Sequence, residues 1–244
     1  MFDSLFAKYR HIVFFDTETT GFLSDKDDQI IELAAISIDR DGNEKEMDDF
    51  IHLHLKDTIP DKIVQLTGIL PIMVAMKGID EHEAIKKFWE IAEPDGEDLF
   101  DNDNKTLLVA HNAHFDLMFM AHAQIRCKKN HGMVSEYEKF NNADYLDMLT
   151  VYRDRRRFPH KLENAIQEYG LSGKVENSHR AVDDCRALYE VTKRMWEEKA
   201  DIGRYINVFG FLKKYGPVEH PFKKVTYGPQ DFDNLREKPL YERI

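Results

Sequence analysis

Residues 11 to 22, HIVFFDTETTGF, carry an apolar run straight into an aspartate and, two positions later, a glutamate. The run reads as a buried strand, so the chain contains a sheet, and one end of that sheet is acidic. Successive strand side chains alternate between faces, which puts Asp16 and Glu18 on one face with Cα atoms about 6.5–7 Å apart. That gap suits one or two divalent cations. A solvated strand end would carry the same pair, so the rest of the chain has to decide between the two.

Downstream, DQIIELAAISIDRDGNEKEMDDFIHL predicts two strands joined by a turn at Asp39, Asp41, Gly42 and Asn43. The first three strands then form an antiparallel meander. IPDKIVQLTGI predicts a short helix opening at Pro60 and closing at Gly68, and EHEAIKKFWEIAE a longer amphipathic one. A strand, TLLVA, leads into HNAHFDLMFMAHA, where Asn112 is the expected N-cap and Phe115, Met118, Phe119 and His122 recur at helical spacing. From Asp144 to Lys199 the pattern is helical, interrupted at Phe158-Pro159 and between Gly170 and Gly173. The last helix carries Ala181, Cys185, Leu188, Thr192 and Met195 on its apolar side. Past about residue 200 the texture turns aromatic, with Gly and Pro as punctuation. The division expected is a domain over 1–200 and an extension, 201–244, packing on it.

At 244 residues and 42% hydrophobic content the chain can bury a sizeable core. No run approaches the roughly 18 apolar residues of a membrane span, and the N-terminus has no basic region followed by a long apolar stretch, so a soluble, cytoplasmic protein is expected. Cys127 and Cys185, far apart and outside any CxxC spacing, argue against a disulfide framework and a structural zinc site. The formal net charge of −11 sits awkwardly with phosphate binding, which relies on Lys and Arg. Much of it is local, in Glu93, Asp95, Glu97, Asp98, Asp101 and Asp103, a stretch that reads as an exposed loop. Basic residues cluster at Arg153, Arg155, Arg156, Arg157 and Lys161, and again at Lys213, Lys214, Lys223 and Lys224. Steering of a nucleic-acid strand is one role for the arginines; a solvated face is the commoner one.

Three blocks supply acids at element ends: Asp16 with Glu18, Asp116, and Asp183 with Asp184. Four carboxylates brought together would repel unless cations neutralised them. Oxygen-only ligation suits Mg²⁺ or Mn²⁺, and two such ions about 3.5–4 Å apart serve in-line phosphoryl displacement. Spacing alone does not say that the blocks meet. In order and context, however, FDTETTG, HNAHFD and HRAVDD resemble the three exonuclease motifs of the DEDDh, or DnaQ-like, 3′-to-5′ exonucleases. The likeness covers roughly residues 11 to 199, and IVQLTGI and HKLENAIQEYGL resemble that family's connecting segments.

The resemblance implies an α/β, RNase H-like fold: a mixed five-stranded sheet, three antiparallel strands and then parallel ones, flanked by helices. It makes Asp16, Glu18, Asp116 and Asp184 the ligands of two divalent metal ions and His179 the general base. Asp183 is left as a neighbour. Positions four apart share a helix face better than positions five apart, so His179 is expected just before the helix, with Ser178 or Asn177 near its cap. A histidine with its ordinary pKa of about 6.5 can take a proton from the attacking water at neutral pH. The implied products are nucleoside 5′-monophosphates, released from single-stranded DNA or RNA 3′ ends. Thr17, Thr19 and Thr20 are candidate substrate contacts, Phe22 or Leu23 a candidate stacking wedge, and Asn112, with His111, matches the family's His-Asn pair.

His52 and His54 would share a face if FIHLHL were a strand, but no acid or cysteine nearby in sequence completes a metal site. Glu32, in the apolar run IIELAAISI, also matches the family pattern and as a buried acid requires a partner. Two competing functions stand beside the exonuclease: a binding module associated with a DNA polymerase or scaffold, with little activity alone, and an RNA-processing or oligoribonuclease-type enzyme. The complete set of Asp16, Glu18, Asp116, His179 and Asp184 argues against a degenerate enzyme. DNA or RNA preference and oligomeric state are not written in these motifs.

Overall fold

The computed structural model describes residues 2–22, 27–93, 106–175, 179–216, 222–231 and 238–244. After a short helix α1 (Asp3–Phe6), strands β1 (His11–Thr19), β2 (Ile30–Asp39) and β3 (Glu44–Phe50) follow in sequence. Helices α2 (Asp61–Thr67), α3 (Pro71–Lys77) and α4 (Glu81–Ala92) lead to β4 (Thr106–Ala110), then α5 (Ala113–His131), α6 (Val134–Asn142) and β5 (Asp144–Asp147). Helices α7 (Met148–Arg155), α8 (Leu162–Glu168) and α9 (Ala181–Glu198) precede a pair of strands, β6 (Val208–Leu212) and β7 (Thr226–Gln230).

Among the described residues the main sheet runs β3-β2-β1-β4-β5, with β1, β2 and β3 antiparallel and β4 and β5 parallel to β1. This is the mixed α/β sheet expected. Alternation explains its layering: Ile12 and Phe14 of β1 face one core with α8 and α9, while Val13 and Phe15 face a second with α4, α5 and α6. Buried on both faces, β2 reads as a nearly unbroken apolar run, whereas the edge strand β3 is charged and largely exposed. Helix α2 does close on Gly68, whose φ of 70° is the left-handed conformation that a C-terminal glycine supplies.

The structure corrects four expectations. Asp144–Asp147 is a strand, not the start of a helical stretch; four buried residues are too few for periodicity to tell the two apart. His52 and His54 lie beyond the end of β3, with the His52 ring on the Val74 carbonyl. Arg153, Arg155 and Arg156 are not a free basic face. Arg153 donates to the Gly210 carbonyl, Arg155 pairs with Asp201, and Arg156 with Glu168 and Glu198. Fourth, Asn112 occupies the N-cap position of α5 at φ 68° but makes no side-chain cap; Asp147 accepts instead from the main-chain N–H groups of Asn112 and Ala113. Leu23, Asn177, Ser178 and the acids from Asp95 to Asp103 lie outside the described residues.

Residues after α9 feed both cores, with Ile202, Tyr205 and Leu240 in one and Phe209, Phe222 and Val225 in the other. No helix among the described residues is long and apolar enough to cross a membrane.

Candidate active site

The C-terminal end of β1 delivers Asp16 and Glu18, the first turn of α5 delivers Asp116, and the start of α9 delivers His179 and Asp184. Glu18, His179 and Asp184 each present a ligand atom, and these atoms lie within 4.8 Å of one another. His179 stands just outside α9 at φ 56°, exposed, as the five-residue spacing to Asp184 required. Asp183 is not part of that group.

Asp116 is buried and accepts from both the main-chain N–H of Thr17 at 3.1 Å and its hydroxyl at 2.7 Å. Burial drives the Asp116 carboxyl up to about 7 even against those two hydrogen bonds. Glu18 is pushed up to about 8, by burial first and then by the charges of Asp184, Glu32 and Asp116. Asp16 is raised well above the ordinary range, by burial and by Asp116, Asp184 and Glu18. Such acids crowd together because the strand end, a helix start and a second helix start converge on one point. Oxygen donors at this density, with one imidazole, are the chemistry of a site for a hard divalent cation.

The threonines turn inward. Thr17 serves Asp116, Thr19 donates to the Gly21 carbonyl at 2.7 Å, and Thr20 donates to Asp28 at 3.0 Å while accepting from the Gln29 N–H. Phe22 is 77% exposed and meets Phe115 edge-on with centroids 6.2 Å apart. Asn112 is exposed.

Two residues escaped the sequence reading of the site. Asp147, at the end of β5, takes the α5 N-terminal amides and also those of Leu149 and Thr150, so one carboxylate caps two helices. Its spacing to the motifs gave no signal. The second is Arg180: Glu32 reads in the sequence as a buried acid that requires a partner, and that partner is Arg180, 148 residues along, directly after His179.

A family model described as Exonuclease (RNase_T) matches residues 13–192. The chain belongs to the DEDDh exonucleases of the RNase H-like superfamily. It is 32% identical over 201 residues to the DNA polymerase III subunit epsilon of Treponema pallidum, covering 80% of this chain and 81% of the relative. Ribonuclease T of Pectobacterium atrosepticum is 28% identical over 137 residues, covering 54% of this chain and 60% of that protein. The fold is similar to part of E. coli Exonuclease I, crystallised with a dA16 oligonucleotide, at a TM-score of 0.62 and 18% identity, over 80% of this chain and 42% of that one.

Proposed function

We propose that this exonuclease-family chain cleaves single-stranded nucleic acid from the 3′ end, releasing nucleoside 5′-monophosphates, with two Mg²⁺ or Mn²⁺ ions held by Asp16, Glu18, Asp116 and Asp184. The observation that carries the reading is the meeting of Glu18, His179 and Asp184 within 4.8 Å, beside two further acids whose carboxyls are raised. Unneutralised acids in that setting repel; the donor set fits divalent cations, which when bound would neutralise it and polarise the scissile phosphate.

The protein's own part is placement and proton transfer. Thr17 fixes the orientation of Asp116 through two hydrogen bonds, so that ligand is set before any cation arrives. His179 lies exposed at the rim and takes the proton of the attacking water. Phe22, braced by Phe115, offers an apolar face to the terminal base, and stacking of this kind accepts any base. The likeness to a polymerase subunit over 80% of the chain favours a second reading, in which the same site works within a polymerase assembly.

The test is degradation of 3′-labelled and 5′-labelled single strands, as DNA and as RNA, with Mg²⁺, Mn²⁺ or EDTA, by wild type and Asp16→Ala. Cation-dependent mononucleotide release from the 3′ end is expected, with a loss of about a thousandfold in the variant, equivalent to several kcal/mol of charge stabilisation. Release from the 5′ end, or activity surviving EDTA, would overturn the reading.

A further inference from the structure

Glu32 lies on β2 directly opposite Glu18 of β1, and it is fully buried. A second acid beside an already crowded acidic site is costly unless something requires it. Its contacts say what. The carboxylate accepts from Arg180 Nε at 2.8 Å and Nη2 at 2.5 Å, and its other oxygen accepts from the main-chain N–H of Ala181 at 3.0 Å. Ala181 is the first residue of α9 and Arg180 its N-cap, a position that makes no side-chain cap of its own. Glu32 therefore caps α9 from another strand, satisfying one of the amides a helix start leaves open. Arg180 is held from a third side as well: its guanidinium lies 5.0 Å from the Phe50 ring centroid and 3.9 Å from Asp48 of β3.

We infer that the Glu32–Arg180 pair is a positioning device for His179, fixing where α9 begins and so holding the left-handed His179 over Glu18 and Asp184. The inference rests on the nuclease reading of that site. The residue that departs from helical geometry at φ 56° is the one directly before the braced arginine. Asp184 lies a turn inside α9, its N–H bonded to the Arg180 carbonyl and its turn anchored by the buried Ala181 and Cys185, whereas His179 lies outside the helix, with no helical turn to hold it. The brace thus bears on proton transfer more than on cation binding.

A double-mutant cycle decides whether the pair positions His179 or only holds the fold together. Turnover at saturating Mn²⁺, Mn²⁺ binding by calorimetry and thermal melting are measured for wild type, Arg180→Met, Arg180→Lys, His179→Ala and Arg180→Met/His179→Ala. Arg180→Met is expected to lower turnover about tenfold to a hundredfold, the usual loss for a residue supporting a metal site, with Mn²⁺ affinity changed less than about threefold. Arg180→Lys keeps the charge without the fork and falls between; it serves alone if the Met variant does not fold. With His179 already removed, Arg180→Met should cost less than about threefold. An equal loss in both backgrounds means a structural role only and overturns the inference. Amide exchange from Ala181 to Asp184 in Glu32→Gln, read without cations, separates the two layers. Faster exchange there, with the rest of α9 unchanged, supports the brace even if wild type cuts no strand, a result that would count against the nuclease reading instead. Unchanged exchange overturns the brace.

Discussion

Glu81 and the Asp16 cluster are both buried acids, and the protein treats them in opposite ways. Glu81 opens α4 and accepts two hydrogen bonds from Arg126, at 2.9 and 2.6 Å, with His54 Nε2 3.5 Å away. Burial presses its carboxyl upward, but Arg126 and His54 outweigh that and hold it at about 2. At the other site burial and like charges act together, and the carboxyls of Asp16, Glu18 and Asp116 rise. The fold can thus pair a buried acid when structure is all that is needed. At Asp16, Glu18 and Asp116 nothing of that kind outweighs burial and like charge.

Replacing each acid by its amide puts the contrast at risk. Glu81→Gln leaves Arg126 largely buried without its counter-charge and should cost about 3 kcal/mol, seen as a melting temperature lower by about 6–12 °C for a chain of this size, with turnover per folded molecule unchanged. A loss below about 1 kcal/mol would erase the distinction between the two sites. Asp16→Asn should act with the opposite sign: in EDTA it removes one of several repelling charges and raises stability by about 1 kcal/mol or more. A lower melting temperature in EDTA would show that the site is already balanced.

The pH dependence sharpens the same contrast, with a smaller effect. Glu18 and Asp116 have folded values of about 8 and about 7, above their ordinary 4.5 and 3.8. Their contribution to stability is complete below those ordinary values and is lost as pH rises through about 7 to 8. Glu81, held at about 2 against 4.5, contributes above its ordinary value and loses that contribution as pH falls toward 2. In EDTA the melting temperature should therefore decline between about pH 5 and 8.5, and saturating Mg²⁺ should flatten the decline. A flat profile without cations would sink the assignment.

Local patterns in the sequence were enough for the meander, for α2 and α4, and for the three motif blocks, because each is a short-range signal. The order of the motifs, taken with the resemblance, points to Asp16, Glu18, Asp116, His179 and Asp184, and the fold brings Glu18, His179 and Asp184 together. Pairings across long separations were illegible. Glu32 finds Arg180 across 148 residues, His54 meets Glu81 from beyond the end of its strand, and Arg155 and Arg156, at the end of α7, find their acids on α8, α9 and the segment beyond. The Thr17 hydroxyl, read as a contact for substrate, serves Asp116, since nothing in a run of threonines says which way each one turns.

The route of the chain through the sheet has a consequence for biosynthesis. β1 is an inner strand flanked by β2, its neighbour in sequence, and by β4, which follows much later; α9 comes later still. Asp16 and Glu18 leave the ribosome early, but the residues that complete the cluster are made only near position 184. At ordinary elongation rates that interval is on the order of 10–30 s. For its duration the nascent polypeptide carries only part of the group that Glu18, His179 and Asp184 form. The group is complete only as α9 docks.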